Sequence, residues 1–169
     1  MKQFKLFIIL FLLFLVQGTV MPRFFYSTSD ASVQMVPQFV FVALLLVTLF
    51  GRLDWGFRYS LLFGFLTDII FTPVLGVYAF SMALTVYLTY RLSRWVTITV
   101  VSALLLSNFG LLVEQFIVYL IYLMIGMTQQ SFWAFLSAHL VPTMLLNAAF
   151  ALISFYPLRR VMESTAGKR

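Results

Sequence analysis

Apolar residues in this chain come in runs of roughly twenty, interrupted by short clusters of charge, glycine and proline. A helix needs about 20 largely apolar residues to cross the ~30 Å hydrocarbon core of a bilayer. Six stretches have that character: 4–20, 33–53, 55–71, 74–90, 96–127 and 132–156. The pattern predicts six transmembrane helices in one domain, followed by a short basic tail over 157–169. The fifth run is the longest, about 48 Å of helix at ~1.5 Å per residue. It must tilt, lie partly in the interface, or bend, and Asn108 and Gly110 mark the place for a bend.

Composition turns this pattern into a class. Of 169 residues, 63% are hydrophobic and 9% charged, against about 25% charged in soluble domains. A water-facing surface cannot be built from so little charge, and a disordered chain requires low hydrophobicity. The expected fold is therefore an all-α integral membrane protein, a six-helix bundle. With no cysteine, disulfides, thiolate metal sites and cysteine nucleophiles are excluded. His139 alone cannot build a zinc or haem site, so neither metal nor cofactor is expected.

The net charge of +6 would suggest nucleic acid in a soluble protein. Here the basic residues flank apolar runs, which reads as membrane orientation instead. With both termini in the cytoplasm, Lys2, Lys5, Arg52, Arg58, Arg91, Arg94, Arg159, Arg160, Lys168 and Arg169 all fall on the cytoplasmic side. Only Arg23 falls outside, in a loop over 21–35 that also carries Asp30. Residues 1–18 have the basic start and apolar stretch of a signal peptide. The sequence Gln17-Gly18-Thr19-Val20 makes a poor small-residue cleavage site, however, and the reading is an uncleaved first helix.

Two carboxylates lie inside apolar runs, Asp68 and Glu114. Each costs about 2.5–3.5 kcal/mol at a helix centre on insertion scales, so each must face protein, water or an interface. Gly56, Ser60, Gly64 and Asp68 recur every four residues along one helix face. Small residues let helices approach closely where lipid gives little drive for association. This stripe is a helix-packing or partner-binding seam, with Gly76, Ala79 and Ala83 of the next helix as the answering surface. Ser107, Gly110 and Glu114 share a face of the fifth helix; His139, Thr143 and Asn147 share one on the sixth, beside a bend expected at Pro142. Glu114, His139 and Asn147 are buried polar candidates. Glu114 with His139 could form a proton switch, and Asp68 with Glu114 an intramembrane acid pair. The favoured reading of the two acids is instead a tie to a helix end, an arginine or a partner protein, and that of Thr143 and Asn147 is ordinary interhelical hydrogen bonding. Phosphate loops, serine elbows and zinc pairs of the H-E-x-x-H type do not occur.

At helices three and four a family resemblance emerges. Gly56-Phe57, Gly64-Phe65-Leu66-Thr67-Asp68-Ile69 and Leu75-Gly76-Val77-Tyr78-Ala79-Phe80 resemble the signature of the rod shape-determining MreD family. The pattern is G-x(7)-G-x(3)-D, a short turn, Leu-Gly, and an apolar helix ending at Tyr-x(3)-Arg, here Tyr87 to Arg91. Gly64, Asp68 and Gly76 match that motif; Glu114, His139 and Asn147 match none. The resemblance implies a multi-pass bacterial plasma-membrane component of the wall-elongation machinery. Its implied partners are MreC, the glycosyltransferase RodA with its class B penicillin-binding protein, and MreB indirectly, besides membrane lipid and without nucleic acid. It also implies a fold similar to substrate-binding subunits of energy-coupling-factor vitamin transporters. The expected function is a non-enzymatic scaffold that binds MreC and helps organise peptidoglycan synthases. The alternative is the transporter subunit itself, which by resemblance docks its partner through small residues spaced A-x(3)-A on helix one. Here those positions are Phe, Leu and Ile, with small residues only at the far end.

Overall fold

A computed structural model of the chain describes residues 2–19 and 36–166, with side chains over 4–19 and 36–163. The described residues are helical with no strand. They form α1 (Lys2–Thr19), α2 (Phe39–Phe50), α3 (Leu53–Phe71), α4 (Val77–Ser93) and α5 (Val100–Met124). The last element, α6, runs as Phe132–Ala134, a π-helical turn Phe135–Leu140, and Val141–Ala166. Arg23, Asp30, Lys168 and Arg169 lie outside the described residues.

The centre of the bundle is α2. From Phe39 to Leu49 every residue is buried, and the helix touches each of α1, α3, α4, α5 and α6. Its sequence, FVFVALLLVTLF, is apolar on all sides, as a helix surrounded by others must be. At 12 residues it is about 18 Å long, shorter than the predicted 33–53 run. The residue before a proline is pushed away from helical geometry, and Val36 precedes Pro37. The freed backbone is held by neighbours: Val36 N–H donates to Thr143 Oγ1 (3.1 Å), Gln38 N–H to Asn147 Oδ1 (2.9 Å) and Val40 N–H to Gln17 Oε1 (3.1 Å). Asn147 Nδ2 closes the bracket on the Val36 carbonyl at 3.1 Å. At the other end Gly51 leaves helical geometry, with φ −126° and ψ −132°, and Arg52 is extended.

Other helix limits also move from their predicted places. Helix α4 begins at Val77 rather than 74, because Gly76 is left-handed at φ 94° and cannot belong to a right-handed turn. In α5 a capping box between Thr99 and Ser102 fixes the start, and Gly126 at φ 73° follows its end. The helix runs unbroken through Asn108 and Gly110, where a bend was expected. Asn108 folds its amide onto the Leu104 carbonyl of its own helix (2.9 Å). In α6 the irregularity comes before Pro142: Val141 N–H bonds Leu136 O across a π turn. A widened turn accommodates the proline ring, which would otherwise press on the carbonyl four residues back. The tail predicted to start at 157 is helical to Ala166, with Leu158 and Met162 buried.

Contacts fix the direction of each helix. Gln17 meets the start of α2, Thr48 near the end of α2 abuts Gly56, and Met162 abuts Gly51. Phe7 packs near Tyr59 while Phe14 packs against Phe71 with tilted rings, so α1 and α3 run parallel. The start of α1 and the end of α6 therefore lie at the same end of the bundle. Lys5, Arg52, Arg58, Arg91, Arg94, Arg159 and Arg160 all lie at that end; the turns at the opposite end, 72–76 and 125–131, carry no charge.

If Asn147 anchors the start of α2, Asn147→Leu leaves the Gln38 N–H and Val36 carbonyl unpaired in the interior. The expected loss is roughly 2–4 kcal/mol at about 1–3 kcal/mol per orphaned group, read as a lower thermal unfolding midpoint in detergent. An unchanged midpoint would dismiss the anchor.

Candidate functional site

Asp68 sits on the last turn of α3 with no solvent exposure. Its carboxylate collects the free backbone donors at the start of α4: Gly76 N–H and Ala79 N–H on Oδ2 (both 3.0 Å), and Tyr78 N–H on Oδ1 (2.9 Å). Thr72 fastens the turn by donating to the Asp68 carbonyl (3.0 Å) and the Val74 carbonyl (2.8 Å). The first N–H groups of a helix lack internal partners and carry its positive dipole end. A carboxylate placed there makes charge-assisted bonds that offset its desolvation. Three donors converging on one carboxylate make a clamp that joins α3 to α4.

The stripe below Asp68 is buried along its length. A Cβ added at Gly64 would lie 2.6 Å from Ala79 Cα and 2.8 Å from the Tyr78 carbonyl oxygen, so only glycine lets the two backbones meet. A side chain at Gly56 would run into Thr48 of α2. The Ser60 hydroxyl donates to the Phe57 carbonyl of its own helix at 2.8 Å. At Gly76 nothing crowds the missing Cβ; the left-handed backbone itself is what requires glycine. Every residue of this seam contacts the chain's own helices.

The second polar group gathers where α2, α5 and α6 meet. Glu114 is fully buried, and neither carboxylate oxygen has a hydrogen-bond partner among the described residues. The side-chain amide of Gln38 faces it, with its own Oε1 unpartnered. His139 Nε2 lies 3.2 Å from Gln115 Oε1, and its ring stacks on Phe135. The structure thus pairs His139 with the residue after Glu114. Thr143 and Asn147 serve the α2 start. Asp68 has its oxygens taken by three backbone donors, so it cannot act as the free half of an acid pair with Glu114.

Between α1, α2, α3 and α4 lies a cavity of about 240 Å³, lined in part by Gln17, Gln38, Thr67, Thr72 and Tyr78. It opens beside the Asp68 clamp, at the end of the bundle where the 72–76 turn lies. Gln17, Gln38 and Gln115 were not singled out from the sequence. Each is an uncharged amide inside or beside an apolar run, and that was the available signal.

A family model described as rod shape-determining protein MreD matches residues 1–164. The chain belongs to the MreD family. A relative, "Rod shape-determining protein MreD" of Bacillus subtilis (strain 168), is 29% identical over 161 residues, covering 94% of this chain and 92% of its own length. No solved structure matches. Among the described residues of this MreD-family chain, two helices, Val100–Met124 and Phe132–Glu163, are long and apolar enough to cross a membrane.

Replacing Asp68 separates clamp from reaction. Asp68→Asn keeps size but sets an N–H₂ against backbone donors, for an expected loss of about 1–3 kcal/mol; Asp68→Leu should lose more. Gly76→Ala should cost roughly 1–2 kcal/mol for its left-handed backbone. Unfolding midpoints of the three variants in one detergent check the order. Glu114→Gln should leave the midpoint equal or higher, since it replaces a buried acid that meets only the facing Gln38 amide with a neutral amide; a marked drop would show that the acid has a stabilising partner.

Proposed function

We propose that this chain is a six-span scaffold of the bacterial plasma membrane that binds MreC and helps organise the peptidoglycan synthases of rod-shaped growth. Its amino and carboxyl ends lie in the cytoplasm, and it performs no reaction of its own. Membership of the rod shape-determining family supports the cellular role. The single observation that carries the scaffold reading is the fate of the buried polar groups. Asp68, Thr143, Asn147 and Gln17 all hold backbone ends in place, which builds a stiff body rather than a reactive centre. Outward faces are apolar: Phe65, Ile69, Leu105, Leu145 and Ile153 are each about half exposed or more. The gathering of basic residues at one end agrees with the positive-inside rule and supports the orientation. RodA, its class B penicillin-binding protein and, indirectly, MreB are the further partners of this reading.

The cavity beside Gln38 favours a second reading, a small-molecule transporter subunit of the energy-coupling-factor type. Its volume, about 240 Å³, is below the ~300–1,000 Å³ of common ligand pockets, so the scaffold stands first.

Purification in mild detergent from cells expressing the partner set tests both. MreC should be recovered with the chain, and no small molecule should be retained. Recovery of folded chain with a tightly held small molecule and without MreC would overturn the scaffold in favour of the transporter subunit. Because the chain contains no cysteine, Thr128→Cys and Ser93→Cys can report sidedness. A membrane-impermeant thiol reagent should label only the first in intact cells; the reverse result would invert the proposed topology.

A further inference from the structure

Helices α4 and α5 are antiparallel neighbours, and the Thr89 hydroxyl fills the space left by Gly110. That register sets the end of α4, at Ser93, about level with Leu106. The first turns of α5, from Val100, therefore project past α4 at the basic end of the bundle. Along the overlap of the two helices lies a groove of about 360 Å³ lined by Leu88, Arg91, Leu92, Trp95, Phe109 and Val113. Its floor is hydrocarbon, and Trp95, 88% exposed, stands at its mouth. Arg91 lines the groove, and Arg94, outside that lining, follows three residues later at the C-cap of α4. Among the described residues the ion pairs are Arg52–Asp54 and Arg159–Glu163, and Asp68 and Glu114 are buried elsewhere. Arg91 and Arg94 have no carboxylate partner there.

We propose that this groove binds one phospholipid with a net-anionic headgroup, its phosphate on Arg91 and Arg94 and an acyl chain along Leu88, Phe109 and Val113. The bilayer depth of the groove rests on the membrane placement proposed above. Two uncompensated guanidiniums favour a headgroup whose phosphate charge no choline or ethanolamine cancels. A planar guanidinium suits phosphate oxygens in a bidentate grip. The end of α4 adds negative dipole that holds the arginines in place. Tryptophan belongs at the headgroup level, where its ring is half wet. This gives the Arg91 that closes the Tyr-x(3)-Arg pattern a ligand of its own.

Native mass spectrometry of the intact chain in detergent, with phosphatidylglycerol and phosphatidylcholine of identical acyl chains, measures the preference. Phosphatidylglycerol should bind about thirtyfold more tightly, at about fivefold for each arginine. Arg91→Ala with Arg94→Ala should bring the two lipids to parity; Arg91→Lys should retain part of the preference. Val113→Trp, which fills the groove and leaves both charges, should weaken both lipids together. Arg159→Ala with Arg160→Ala, at the same end of the bundle, should change nothing. Equal binding of the two lipids by the natural chain overturns the proposal, as does undiminished lipid binding by Val113→Trp, or inorganic phosphate competing as well as the lipid. None of these outcomes bears on recovery of MreC, so the scaffold reading stands or falls separately.

Discussion

In an environment without water, a backbone N–H or carbonyl that finds no partner costs several kcal/mol, and every helix that starts inside the bundle brings such groups with it. This chain answers with side chains borrowed from neighbouring helices. The start of α2 is held by Gln17 from α1 and by Thr143 and Asn147 from α6. The start of α4 is held by Asp68 from α3. Each cap is also a tie between two elements, so satisfying the backbone and fixing the tertiary arrangement are one event. Helix α5 is capped from its own sequence by Thr99 and Ser102, so its start needs no donor or acceptor from another helix, although Val100 and Ala103 pack against the core.

Close packing follows from those ties. Once Asp68 draws the start of α4 onto the end of α3, the two backbones must run together for the turns that follow, and Gly64 against Ala79 permits it. The same logic operates around α2, whose uniformly apolar surface gives it no preferred face. Its rotation is set by the hydrogen bonds at its start and by Thr48 against Gly56. A short buried helix with polar anchors at one end can serve as the axis around which five others are arranged.

How much of the site was legible depends on whether a residue was out of place in its run. Asp68 and Glu114 stand out because a carboxylate among aliphatics is expensive wherever it points. Asn147 stands out because its position falls one turn from Thr143 and two from His139. Their partners were not legible. The chemistry of His139 and Glu114 allowed a pair without placing them together, and the structure gives His139 to Gln115, one residue along and rotated by about 100° at ~3.6 residues per turn. The glutamines passed unnoticed because an uncharged amide hardly lowers the apolarity of a twenty-residue window, although Gln17 and Gln38 flank the cavity and the α2 start.

The order of the apolar runs, the gathering of basic residues between alternate runs, and the need to bury two acids were written in the chain. They depend on transfer free energies that each residue carries into any fold. Where α2 begins, why α4 starts three residues late, and which donors Asp68 meets were decided only when the helices came together. Those choices rest on hydrogen bonds between residues as far apart as Val36 and Thr143, whose directionality over about 3 Å a hydrophobic pattern does not encode.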